Sequence, residues 1–535
     1  MKNFWKSGDP FIWLAGSGLA CCLLMIAGLV GIILYNGLGV FWPSDLSELQ
    51  LRDGSRIMGQ ERDRQEIKIG ATAGSYRRQL KVGSRDLFGL DFRWIPEAQI
   101  RNLKKPENAV VFERLEWGDF YGFVTGVYLG DEKKAGSGEE GWIVLQQYLE
   151  QSQELGVRMR RLEKEEIGEL NYELGQLRLQ QRHLEIQDAP RAERQELENK
   201  SKRYWLQYEA LEQELMGLRR EGEKLAVEVV LASGETNRIL VGDIVRAYRP
   251  NKMDVLEKIA LYLSRAGEFI AGEPRESNTE GGIFPALFGT VMMVMLMSLA
   301  VVPFGVLAAL YLREYAGQGV LVRSIRIAVN NLAGVPSIVF GMFGLGFFVY
   351  GMGSSIDQLF FQEVLPAPTF GTGGILWASL TLALLTVPVV VVATEEALGT
   401  VPREMREGSL ALGSTTFQMI WNVVLPGALP GILTGVILAT ARGAGEVAPL
   451  MITGVVKLAP DLPLDGYWPF FHLERKFMHL GFHIYDVGFQ SPNVEAARPM
   501  VYTTALLLLL IVLLLNLTAI VVRNRLRRRY ASSGL

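Results

Sequence analysis

Within the stretch TARGAGEVAPL, residues 440–450, an arginine and a glutamate, Arg442 and Glu446, stand four residues apart in an otherwise apolar run. A guanidinium is planar, stays charged and offers two parallel charge-assisted hydrogen bonds, which suits it to a tetrahedral oxyanion. A carboxylate four residues on shares its helical face and neutralises it in part. A charge near a bilayer centre costs at least about 2.5 kcal/mol, so such a residue marks a functional site or a structural ion pair locking one span to a neighbour. Gly443, Gly445 and Pro449 would loosen a helix at this point, as where irregular backbone lines a cavity instead of lipid.

Whether these residues are in a membrane is decided by the rest of the chain. Its 535 residues are 49% hydrophobic, and the apolar ones cluster. Charge-free runs extend over Pro10–Ser44, Gly281–Leu312, Ile327–Ile356, Val364–Thr394 and Pro499–Val522, each longer than the roughly 20 residues that cross a hydrocarbon core. A sixth, Val423 to about Ile452, is interrupted only by Arg442 and Glu446. Lys2 and Lys6 at one end, and Arg523, Arg525, Arg527, Arg528 and Arg529 at the other, predict that both termini are cytoplasmic, which an even number of spans allows. The basic tail reads as a stop signal beside an apolar span and not as a nucleic-acid site. The first span reads as an uncleaved anchor, here over residues 11–35, with residues 1–10 inside. Cys21 and Cys22 are adjacent and offer no disulfide framework.

Between the first two spans, residues 36–283 read as a separate α+β domain on the outer, periplasmic side. Alternating runs such as QEIKIG, LDFRWI, VVFERL, FVTGVYL, AVEVVLA and NRILVGDIVRAY predict strands. Leucines from Leu155 to Leu184, with a slip between Leu162 and Leu170, and again from Leu197 to Leu218 after Asp188–Pro190, predict an antiparallel coiled-coil hairpin over about 148–222. It would serve as a spacer or as a docking point for a partner.

The cytoplasmic loop after the fourth span, about 395–426, contains Glu407, Gly408 and Ser409, then Gly413 after three residues, Val423 after nine more, and Leu425-Pro426. Small residues let a short helix sit close to another surface, Gly413 breaks it from the next turn, and Pro426 is expected to end the loop. This spacing resembles the coupling loop of ABC-importer permeases. Together with YLREYA (311–316), NNLAGVPSIVFGMFGLGFF (330–348) and LPGILTGVILATARGAGEVAPL, it is similar to the phosphate-specific permeases of that family.

The resemblance covers the first span and about 250 residues from Phe284 to the end, and leaves out the large insert. It implies an all-α polytopic membrane protein of six transmembrane helices with the ABC-importer permease fold, in a bacterial inner membrane, importing inorganic phosphate. It implies a second permease subunit as heterodimer partner, two cytoplasmic ATPase subunits and a periplasmic phosphate-binding protein. ATP and Mg would sit on the partner ATPase, since this chain has no GxxxxGK[ST] phosphate loop and is expected to bind no cofactor and perform no covalent chemistry. Glu407, Gly408, Ser409, Gly413, Leu425 and Pro426 would couple to the ATPase. Arg442 would attract phosphate in the pathway while Glu446 tempers the attraction. Another oxyanion, or a membrane-anchored scaffold acting through its coiled coil, is the alternative.

Three histidines, His472, His479 and His483, could suggest a metal or pH-sensing site; with no carboxylate or cysteine cluster at ligand spacing, an interfacial amphipathic segment is the expectation. Pro336 and Pro388 are expected to kink their spans.

Overall fold

The computed structural model describes residues 9–67, 74–491 and 494–532. Lys2 and Lys6, the last half of the QEIKIG run and the final residues of the basic tail therefore lie outside the described residues. The chain forms two compact units, Met1–Val40 with Phe269–Leu535, and Phe41–Glu268.

The first unit contains six helices long and apolar enough to cross a membrane: Pro10–Gly39, Phe284–Tyr315, Ser337–Phe360, Ile375–Gly399, Thr416–Gly445 and Val494–Leu526. The fourth is the most deeply buried, and the second and fifth pack against it. Lipid tails give no hydrophobic drive between helices, so close approach depends on small side chains. Gly431 and Gly435 supply it: a Cβ on either would come within 2.4 Å and 2.5 Å of the Cβ atoms of Ala397 and Ala393 on the fourth span. The first and sixth spans meet where Thr503 Oγ1 donates to the Gly37 carbonyl at 3.1 Å.

Proline placement corrects two expectations. Pro336 does not kink the third span; it precedes the helix that starts at Ser337, with extended backbone (ψ 137°), because its missing N–H is harmless at a helix start. Pro426 does not end the cytoplasmic loop either. The fifth helix already begins at Thr416, capped by reciprocal bonds between Thr415 and Gln418, and runs through Pro426. A π-turn at Ile420–Val424 absorbs the carbonyl that the proline ring would otherwise strike. Pro388 lies inside its helix.

The second unit has two antiparallel sheets. Strands β1 (Leu46–Leu51), β2 (Arg56–Glu66), β3 (Tyr76–Lys81), β4 (Phe92–Pro96) and β5 (Ile100–Lys104) form one, in the order β4-β3-β2-β1-β5. Strands β6 (Val110–Arg114), β7 (Phe120–Leu129), β8 (Glu132–Ala135), β9 (Leu225–Val230), β10 (Thr236–Leu240) and β11 (Ile244–Tyr248) form the other, ordered β10-β9-β7-β6-β11 with β8 on β7. The run NRILVGDIVRAY is thus two strands, divided by a turn at Val241–Asp243. Between β8 and β9 are helices Glu139–Arg161, Ile167–Ile186 and Arg191–Glu223. The leucine slip falls on a π-turn, Leu162–Glu166, whose widened turn shifts the apolar stripe. Leu162, Ile167, Leu215 and Leu218 are buried together, and Arg158–Glu214 and Arg219–Glu163 bridge the returning helix.

Candidate functional site

Two places in the first unit gather the residues singled out by the sequence. At the loop, a nine-residue helix, Arg403–Ala411, carries Glu407, Gly408 and Ser409, with Glu407 and Gly408 exposed. Gly413 follows with φ of +90°, a left-handed conformation that turns the chain sharply and strains any residue with a Cβ. Leu425 and Pro426 are separate from this exposed part, half-buried inside the fifth helix. The loop's root is a buried apolar cluster that includes Leu312, Val322, Leu398, Val401, Met419, Ile420 and Val424.

Charged contacts that spacing alone did not single out anchor the same loop. Arg406 Nη1 lies 3.1 Å from Glu314 Oε1 at the end of the second span, with the Glu314 side chain only 7% exposed. Arg406 Nη2 also donates to the Leu398 carbonyl. Nearby, Arg326 Nε donates to Glu395 Oε1 at 3.0 Å and its Nη2 to the Leu312 carbonyl at 3.1 Å. The signal was present in the isolated charges at the ends of the apolar runs, but pairing needs the packing of three helices. Around the knob, Leu410, Leu412, Phe417 and Trp421 are exposed, the last two stacked at 6.1 Å between centroids. The result is a protrusion rooted in that buried cluster, with small residues and exposed apolar side chains on its outside.

Arg442 and Glu446 do come together, with Nε to Oε1 at 3.6 Å and side chains 33% and 22% exposed. They do so differently from a helical pair. The helix ends at Gly445, and Glu446 has extended backbone (φ −79°, ψ 135°). A new short helix, Ala448–Thr453, starts with Pro449 in its first turn. The span therefore stops earlier than the sequence run to Ile452, because two glycines and a proline lie within seven residues. Gly443 is pressed against the second span, where an added Cβ would lie 2.4 Å from Met297 Sδ. The partly exposed guanidinium thus sits in the last helical turn, beside the break at Glu446, where it can bond an anion as well as Glu446.

The histidines do not form an exposed interfacial segment. His472 lies between Asp465 (3.0 Å) and Glu474 (3.2 Å). His479 is fully buried and caps the helix Leu480–Tyr485, its Nδ1 accepting from the Gly481 N–H at 3.1 Å. His483 Nδ1 is 3.3 Å from Thr504 Oγ1. Burial pushes both His479 and His483 down to about 4, since the charged imidazolium loses its hydration there. Among the described residues, no group of three or more His, Cys, Asp or Glu is placed to hold a metal ion.

Residues 301–532 match the family described as binding-protein-dependent transport system inner membrane component. The phosphate transport system permease protein PstA 1 of Mycobacterium tuberculosis (strain CDC 1551 / Oshkosh) is 37% identical over 187 residues, 35% of this chain and 55% of that protein. The probable ABC transporter permease protein YqgI of Bacillus subtilis (strain 168) is 33% identical over 238 residues, 43% of this chain and 74% of that one. The probable phosphate transport system permease protein PstA of Methanocaldococcus jannaschii is 34% identical over 216 residues, 40% of this chain and 69% of its relative. The chain thus spans about half the length of the first of these relatives, and the family match leaves out the unit Phe41–Glu268.

Proposed function

The chain belongs to the binding-protein-dependent transport system inner membrane components, and on that premise we propose that it is the permease subunit of an ATP-driven importer of inorganic phosphate. The observation that carries the proposal is the rooted knob: a short exposed helix bearing Glu407, Gly408 and Ser409, ended by left-handed Gly413 and tied to the second span through Arg406 and Glu314. Such a part moves as a piece with the spans, so a partner that grips it can drive them. Two cytoplasmic ATPase subunits, which hold ATP and Mg, are the proposed grip, and a second, related permease subunit completes the pathway. Both termini then face the cytoplasm. The Phe41–Glu268 unit, with its coiled-coil hairpin, is on the periplasmic side with the phosphate-binding protein.

Phosphate as cargo is supported by the names of two relatives and by the chemistry of Arg442. Its fork suits an oxyanion, and its contact with Glu446 at 3.6 Å is loose enough to exchange for one. The test is phosphate uptake and ATP hydrolysis followed together in proteoliposomes holding this chain and its co-purifying subunits. Arg442→Ala should lose uptake while the complex still assembles and hydrolyses ATP, and Glu407→Arg should uncouple hydrolysis from uptake. Normal phosphate uptake in both variants would overturn the proposal, and uptake of sulfate or molybdate in place of phosphate would reassign the cargo.

A further inference from the structure

The helix Val255–Ala271 is amphipathic in the opposite sense to a helix on a water-facing surface. Its charged side is turned into the protein. Lys258 Nζ lies 2.6 Å from Asp45 Oδ1, Glu268 accepts from Arg246 Nη2 at 2.9 Å, and the Arg265 guanidinium is held by Glu113 and the Tyr248 hydroxyl. Leu261 packs beside them against a buried cluster of Leu46, Met58, Tyr121 and Tyr248. The outer side carries Val255, Leu256, Ile259, Leu263 and Ile270, with Leu256 74% and Leu263 63% exposed. At about 100° per residue these five fall in one arc roughly 100° wide that holds no Lys, Arg, Asp or Glu. A helix facing water buries such a stripe, and a continuous exposed one marks a surface that something covers.

The chain itself says what covers it. The first span ends at Gly39, and the two aromatic residues that follow, Phe41 and Trp42, pack on Tyr262 of this helix with centroids 6.0 Å and 6.3 Å apart. The second span begins at Phe284, a short stretch beyond Ala271. The helix is therefore tethered between two bilayer crossings and carries aromatic rings of the kind that gather at headgroup level.

From this we infer that Val255–Ala271 lies in the plane of the membrane interface. Its Leu256–Leu263 face is sunk among phospholipid acyl chains, while its ion pairs fasten the opposite face to Asp45, Glu113 and Arg246. The ligand is the glycerol and upper acyl region of a phospholipid. Because the arc has no cation, binding does not depend on anionic headgroups. The inference is independent of the cargo.

The experiment uses the full chain in lipid nanodiscs, with bimane attached at Leu256→Cys or Leu263→Cys in a background of Cys21→Ser and Cys22→Ser. Glu257→Cys and Ser264→Cys, on the exposed flank outside the arc, serve as references. Lipids brominated in the upper acyl chain should quench the two arc positions at least about twofold more than the references, and aqueous iodide should do the reverse. Replacing part of the phosphatidylcholine with phosphatidylglycerol should leave the pattern unchanged. Iodide quenching of Leu256→Cys and Leu263→Cys as strong as at the references would overturn the inference. So would protection from both quenchers, which would assign the face to a protein partner, and so would a need for the anionic lipid.

Discussion

Removing Arg406 should damage the protein more than removing Arg406 and the Glu314 charge together. The Glu314 side chain is 7% exposed and its partner 19%. Arg406→Ala therefore leaves a carboxylate with almost no water to replace the guanidinium at 3.1 Å. Breaking a buried pair from one side costs about 3–5 kcal/mol. Arg406 keeps some contact with solvent, which screens the pair, so about 2–3 kcal/mol is the reasoned loss. Glu314→Gln leaves a guanidinium that still donates to the Leu398 carbonyl and reaches water, a loss of about 1 kcal/mol. The double variant has no stranded charge and should resemble Glu314→Gln, giving an interaction of about 2–3 kcal/mol in the cycle. The readout is denaturant titration of the full chain in detergent, followed by tryptophan fluorescence, with phosphate uptake per ATP hydrolysed as the functional companion. If the double variant is less stable than Arg406→Ala by the Glu314→Gln increment, the two side chains act independently and the anchoring argument fails.

Gly413→Val, at φ +90° with open space around it, should cost about 1–2 kcal/mol of backbone strain and lower uptake per ATP, while Gly413→Asn, which tolerates left-handed backbone, should retain more. Equal coupling in both would show that the turn's shape is unimportant. Gly435→Val would force its Cβ against Ala393, 2.5 Å away, and should lower the thermal midpoint through about 1–3 kcal/mol of overpacking between the fourth and fifth spans. For His479, ordinary value 6.5 and folded value about 4, the unfolded chain holds more protons between those pH values. Its stabilising contribution is whole above about pH 6.5 and is lost as pH falls towards 4, by about 2 kcal/mol at pH 5. Thermal denaturation from pH 7 to 5 should show the drop, to which His483 adds a like amount, and His479→Asn should about halve it.

The spans were legible because bilayer thickness forces long charge-free runs, and the short loop helix because Gly413 marks its end. Helix ends were less so. Run length placed the end of the fifth span at Ile452, but the backbone breaks at Gly445, where Gly443, Gly445 and Pro449 lower the helix's stability together. In the second unit the strands VVFERL and AVEVVLA were plain, whereas β3, YRRQLK, was not. Its charged face is satisfied across the sheet, by Arg78 with Glu61 and Glu97, and cross-strand pairing of this kind cannot be seen along one strand. The same limit hid Arg406–Glu314 and the inverted helix Val255–Ala271, whose periodicity is visible while the choice of which face turns inward is made by Asp45 just before β1, Glu113 on β6 and Arg246 on β11.

The two charged pairs of the membrane unit are built for different work. Arg406 and Glu314 are close and mostly buried, and Arg406 is also bound to a backbone carbonyl, so breaking them costs several kcal/mol. They hold the knob to the second span through any motion. Arg442 and Glu446 are 3.6 Å apart and partly exposed, at the point where the helix ends, and a pair of this kind contributes about 0–1 kcal/mol. On the proposed function, an oxyanion replaces Glu446 on Arg442 at little cost, and Glu446 takes the arginine back as the anion leaves. In the proposed import cycle the stiff pair transmits force and the loose pair lets cargo go. Exchanging those properties, by tightening the Arg442–Glu446 pair or loosening the Arg406–Glu314 pair, should stop uptake by two distinguishable routes: an anion that cannot displace Glu446 in the first case, and ATP hydrolysis without uptake in the second.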